Sequence, residues 1–167
     1  MWSYCLNAAE EALAVEVGYK RQLPFFGDPT RNVNYSEGDL WEMWQHAVAA
    51  GSEIALARML GNKDFVPHVN TFKSRQDIDG VAEVRYTFND KRGMRFTTRD
   101  TDKSKYVLMT QGIASRVRRT APDFTSPPYI AVGWMYGFEC KSNHWNYNDS
   151  TWYVPMDQLH DMDIFNG

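Results

Sequence analysis

At Gly61-Asn62 the chain changes texture. Before that point apolar residues recur at helical spacing, and after it short alternating segments are separated by turn residues. A chain built this way has few options. The helices of the first part must cover a sheet made by the second, which is an α+β arrangement.

In the first part, Leu6, Ala9, Leu13 and Val17 predict a helix over 7–21. Residues 22–36 (QLPFFGDPTRNVNYS) carry Pro24, Gly27 and Pro29 and read as a loop. Ser36 or Asp39 can cap a second helix running to about Leu60, with Gly51-Ser52 as a point of bending or interruption. In the second part, strands are expected at Phe65–Phe72, Val81–Phe88, Met94–Arg99, Lys105–Gln111, Tyr129–Glu139 and Trp152–Val154. A short basic helix is expected over 113–119, a loop over 120–128 and a terminal helix over about 156–162. The 167 residues suffice for one domain with a real core. The expectation is thus a single domain over 1–167: a helical part (1–62), a mainly antiparallel or mixed sheet of five to six strands (65–154) and a short C-terminal helix (155–163).

Hydrophobic residues make up 43% and charged residues 23%, which argues against wholesale disorder. No stretch approaches the roughly 20 apolar residues that span a bilayer, so no membrane partner is expected. Glutamates stand where a secretory leader would be apolar, and a soluble, cytoplasmic protein is the expectation. Two cysteines, Cys5 and Cys140, can build neither a disulfide framework nor a zinc site from cysteine alone.

Charge is unevenly distributed. Between Lys91 and Arg119 stand Lys91, Arg92, Arg95, Arg99, Lys103, Lys105, Arg116, Arg118 and Arg119 against only Asp100 and Asp102. This segment is net +7 in a chain of net -3. A basic block on an acidic body is an electrostatic footprint for a polyanion such as DNA, or else a solvated hairpin with ordinary surface charge.

The segment richest in chemistry is RQDIDGVAEVRYTF (75–88). Side chains alternate between the faces of a strand, so one face gathers Asp77, Asp79, Glu83 and Arg85, and the other Ile78, Ala82, Val84, Tyr86 and Phe88. A bulge at Gly80 would change the phase of Asp77 and Asp79 relative to Glu83. Crowded carboxylates repel one another, and a hard divalent cation, Mg²⁺ or Mn²⁺, removes the repulsion. With Arg85 beside them they form a set suited to metal-assisted phosphodiester hydrolysis. An exposed strand face with a Glu83–Arg85 neighbour pair is the plainer alternative.

Glu53 adds a fourth carboxylate. Its helical neighbours Ala49, Ala50, Leu56, Ala57 and Leu60 are small or apolar, so it projects from the face that should pack on the sheet. A buried acid must be paired, metal-bound or placed at a helix start. A salt bridge to a sheet residue such as Arg85, or a cap at Ser52, would serve without any catalytic role.

A helix bearing Glu, a strand pair with Asp, then Glu-x-Lys resembles the PD-(D/E)XK restriction-endonuclease-like nucleases. The corresponding parts are Glu53, Asp77 or Asp79, and Glu83-Val84-Arg85. The chain also resembles a group of short phage-encoded proteins of unassigned function through short motifs over about 40–160: Ser52-Glu53 to Leu60-Gly61, Asp77-Ile78-Asp79-Gly80 to Val84-Arg85-Tyr86-Thr87, Asp100 to Tyr106-Val107-Leu108, Gly133-Trp134 to Lys141, and Val154-Pro155 to Leu159. The resemblance implies a restriction-endonuclease-like core and Mg²⁺ or Mn²⁺ on Asp77, Asp79 and Glu83. Glu53, Asp77, Glu83 and Arg85 would be the catalytic set, acting on DNA gripped by the 91–119 segment in the host cytoplasm or, alternatively, in the virion. Two departures stand out. Arg85 replaces the usual Lys and, permanently charged, can bind phosphate but cannot deprotonate water. The six-residue spacing from Asp77 to Glu83 is short for these nucleases. A non-catalytic protein of the same fold, binding nucleic acid or a host or phage protein, is the alternative.

The four histidines, His46, His68, His144 and His160, form no metal pair at helical spacing, and Cys140 with His144 would need two further ligands for zinc. No nucleophile elbow or phosphate loop is present. The aromatic stretch 143–153 (NHWNYNDSTWY) can stack on bases or sugars, or pack a loop onto its own sheet. In the first case a virion or sugar-binding module is a third reading.

Overall fold

The computed structural model of the chain describes residues 1–27, 38–70, 75–88, 93–112, 127–142 and 150–165. Its elements are β1 (Ser3–Tyr4), α1 (Ala8–Gln22), α2 (Gly38–Met59), β2 (Glu83–Thr87), β3 (Met94–Thr97), β4 (Lys105–Thr110), β5 (Tyr129–Tyr136), α3 (Gly137–Ser142) and β6 (Thr151–Val154). Short 3₁₀ turns follow α1 at Leu23–Phe25 and β6 at Met156–Gln158 and Met162–Ile164. The protein is α+β, as its change of texture implies.

A capping box starts α1. The Asn7 side chain accepts from the Glu10 amide at 3.0 Å, and the Glu10 carboxylate accepts from the Asn7 amide at 3.0 Å. The buried stripe of α1 is Glu10, Ala14, Val17, Gly18 and Arg21, rotated from the expected one, since Ala9 is exposed. Gly51-Ser52 does not interrupt α2. At Gly51 the sheet approaches too closely for a side chain: a Cβ there would lie 2.4 Å from the Tyr129 hydroxyl, which donates to the Val48 carbonyl at 3.2 Å. Glu10 meets Arg58 and Gln22 meets Glu42, so α1 and α2 run antiparallel.

The strands form two sheets rather than the one sheet of five to six strands expected. Four strands are ordered β1-β5-β4-β2, with β2 parallel to β4 and the other pairs antiparallel; β3 and β6 form a separate antiparallel ribbon. The four-stranded sheet carries a core on each face. Toward the helices lie Ile54, Ala57, Val84, Val107, Met109 and Tyr129. Toward the ribbon and α3 lie Met94, Phe96, Tyr106, Leu108, Met135, Cys140 and Val154.

Several expectations are corrected. Residues 65–70 form no strand, and 71–74 lie outside the described residues. The strand expected to reach Glu139 ends at Tyr136, because Glu139 reaches back to accept from the Tyr136 amide at 3.0 Å and thereby starts α3. In place of the helix over 155–163 there are two separate 3₁₀ turns, with Leu159 extended between them. The short β1 was not expected, so the 1–62 part is not purely helical. The basic helix expected over 113–119 lies outside the described residues. Among those that are described, no helix is long and apolar enough to cross a membrane.

Candidate functional site

Gly80 places the first pair of carboxyl groups. With φ +71° it closes a tight turn in which Ile78 and Ala82 exchange backbone hydrogen bonds of 3.0 and 3.2 Å. The turn folds Asp77 back along β2, where its Oδ2 accepts from the Val84 amide at 2.8 Å. Asp77 thus satisfies a backbone donor on an edge strand and lies against Glu83. Burial, foremost, and then the Asp77 charge push the Glu83 carboxyl up to about 7; a hydrogen bond with Asp77 and the Asp100 charge add to the rise, and Arg85 opposes it.

Beside the pair, Arg85 donates to Asp100 at 2.5 Å, and its guanidinium sits 5.0 Å from the centre of the Tyr106 ring. Asp100 also accepts from the Thr97 amide at 2.7 Å. Tyr106, buried under this cluster, accepts from the Thr101 amide at 2.9 Å; burial is the main cause that raises its phenol above the ordinary range. Lys141 donates to Asp102 at 2.7 Å and also to the Asp100 carbonyl.

The consequence concerns charge. Asp100 and Asp102, the two acids of the basic segment, are each engaged by a cation from outside it, Arg85 and Lys141. Arg95, Arg99 and Lys103 are exposed and form no ion pair among the described residues. Lys105 does not join them. It is half-buried on the helix-facing side of β4, its ammonium 5.1 Å from the Phe165 ring centre and 5.8 Å from that of Trp134. Lys91, Arg92, Arg116, Arg118 and Arg119 lie outside the described residues.

Glu53 sits on the other side of the sheet. It is buried, as its apolar neighbours predict, and both of its oxygens are taken by Arg21 of α1, at 2.8 and 2.9 Å. Arg21 is buried too and also donates to the His68 carbonyl through Nε and Nη2, at 2.9 and 2.6 Å. Burial pushes the Glu53 carboxyl up to about 7 against the lowering effect of Arg21, and the Asp77 charge adds to the rise. The pairing partner is Arg21, not Arg85. Its sequence signal was its place seven residues after Ala14 on the buried stripe of α1.

Asp79 is drawn away from the carboxyl pair. Its Oδ2 lies 3.2 Å from Nε2 of His68, at ion-pair distance but without hydrogen-bond alignment. Of the expected metal set, Asp77 and Glu83 are together and Asp79 is not with them. Among the described residues, no group of three or more His, Cys, Asp or Glu side chains is placed to hold a metal. Cys140 is buried, which together with the Glu139 charge pushes its thiol up to about 12, well away from a nucleophile. Of the aromatic stretch, 143–149 lies outside the described residues; Trp152 packs on the ribbon-side core and Tyr153 is half-buried.

Searches against protein-family models, curated proteins and solved structures found no match.

Proposed function

We propose that the protein binds DNA along the phosphate backbone through the cations of the β3 ribbon and the turn that follows it. The observation that carries this is the outside neutralisation of Asp100 and Asp102, which leaves Arg95, Arg99 and Lys103 exposed with no acid paired to them among the described residues. Unpaired surface cations gain by replacing the counterions condensed on a polyanion. The phage context and host-cell location implied by the sequence resemblance belong to this proposal.

A second reading, metal-assisted hydrolysis of the bound strand, has its own support. Glu83 and Asp77 raise one another's energy when ionised, and a divalent cation between them would relieve that repulsion. Mg²⁺ commonly takes one or two carboxylates and completes its shell with water and phosphate oxygens, so the pair fits as a donor set. Bound there, the cation would supply Lewis acidity toward a phosphate. Asp77 and Glu83 would hold it. Glu53 and Arg85, occupied by Arg21 and Asp100, would keep structural roles.

The test is a mobility-shift titration with plasmid, linear and single-stranded DNA over a salt series, with Mg²⁺, Mn²⁺ or EDTA. A triple variant, Arg95→Ala/Arg99→Ala/Lys103→Ala, should lower the slope of log affinity against log salt by about 2–3. Wild-type-like binding by that variant would overturn the backbone reading. Cleavage that needs both metal and Glu83, absent in Glu83→Ala, would establish the hydrolytic one.

A further inference from the structure

We propose that the nucleic acid taken by the ribbon is single-stranded, with Tyr153 as the ring on which an unpaired base stacks and Arg95 as the cation beside it. This deepens the DNA-binding reading and rests on it. In the β3–β6 register Arg95 stands opposite Tyr153, and Thr97 opposite Thr151. Directly opposed residues share a face with Cβ atoms about 4.5–5.5 Å apart. The alternate residues Met94, Phe96, Trp152 and Val154 belong to the core beneath, so Arg95 and Tyr153 lie on the outer face.

Tyr153 is a half-buried aromatic whose ring makes no aromatic contact and whose hydroxyl makes no hydrogen bond among the described residues. Its neighbours in the fold are unlike it: Trp152 packs inward, and Tyr106 is buried with its hydroxyl bonded. A flat ring opposite a guanidinium, neither with a side-chain partner among the described residues, offers a base one face and its phosphate a counter-charge, the combination that holds single strands without reading sequence. Arg99 and Lys103 follow β3 in the turn at the Thr97 end, extending the positive track beyond the ring.

The ribbon is less suited to a duplex. Reading the major groove requires a helix or a two-stranded ribbon to enter it. Here each ribbon strand has four residues, and the inner face of the ribbon is fixed to the sheet, so it lies flat on the body. Bases stacked inside a duplex are also closed to Tyr153.

The experiment is fluorescence anisotropy with labelled oligothymidylate of about 20 nucleotides and a duplex of equal length. The proteins compared are wild type, Tyr153→Leu, Tyr153→Phe and Arg95→Ala, each first checked for an unchanged melting transition. Wild type should favour the single strand. Tyr153→Leu should weaken single-strand binding roughly ten-fold with little change for duplex, and Tyr153→Phe should retain it. A duplex bound as tightly as the single strand, or Tyr153→Leu binding like wild type, overturns the inference while leaving backbone binding intact. Failure to bind either polymer at low salt overturns the DNA-binding reading as well.

Discussion

The two faces of the four-stranded sheet use the same residue types to opposite ends. On the helix side one carboxylate, Glu53, is sealed under α1 and α2, and Arg21 takes both of its oxygens; the side chains are 5% and 4% exposed. On the ribbon side the Arg85–Asp100 pair is 31% and 14% exposed, and the adjoining Glu83 feels the charge of another carboxyl group, Asp77, more strongly than that of Arg85. A charge that is fully satisfied and dry fixes the packing of elements. A charge left incompletely satisfied and partly wet is open to a proton, an ion or a phosphate. In the proposed reading, this contrast gives Glu53 a packing role and leaves Glu83 to the site.

The strongest way to break this comparison is to remove one half of the dry pair. Glu53→Ala strands Arg21 without its counter-charge and should destabilise the fold by about 3–5 kcal/mol, read by urea denaturation. The double variant Arg21→Met/Glu53→Met should lose less than Glu53→Ala alone, because no uncompensated charge then remains. If Glu53→Ala costs no more than an ordinary surface change, the helix-side pair is not structural. A smaller effect is expected across the sheet: Arg85→Ala should cost only about 1 kcal/mol, since water screens its ion pair.

The subtlest prediction concerns pH. The Glu83 carboxyl ordinarily titrates near 4.5 and is raised to about 7 in the folded protein. Between those values the folded chain holds a proton that the unfolded chain has released. The resulting stabilisation is complete below about 4.5 and is lost as pH rises through about 7. Glu83→Gln should therefore flatten the decline in urea midpoint from about pH 5 to about pH 8, leaving only the share that Glu53 contributes in the same direction. An unchanged slope would mean that Glu83 titrates normally.

Much of the architecture was legible from local pattern. The two helices, and strands β2, β3 and β4, fall within a few residues of where alternation and turn residues place them, because each is decided by neighbours in sequence. What escaped depends on distant segments. The parallel pairing of β2 with β4 and the detachment of β3 and β6 as a ribbon are set by which faces meet, and no local period encodes that. The meeting of Asp77 and Glu83 was anticipated from alternation, yet arises otherwise. Six residues of extended strand would separate them by about 20 Å; the Gly80 turn is what brings them together. Arg21, four residues after Val17, continues the expected stripe of α1, yet no local period tells which side chain of another helix a buried cation meets.

The pairing of β1 with β5 sets a timetable. Ser3–Tyr4 has no strand partner among the described residues until Tyr129–Tyr136 has been made, so this sheet edge closes only after the intervening β2, β3 and β4 have been synthesised. The helices α1 and α2 can meet long before that, and loop closure across such a span is slow compared with their local contact. The amide of Ala131, which bonds to the Trp2 carbonyl at 2.9 Å, should gain protection from hydrogen exchange after the amides of β4 do. A chain lacking its first four residues would present that β5 edge bare, open to pairing with a strand of another molecule.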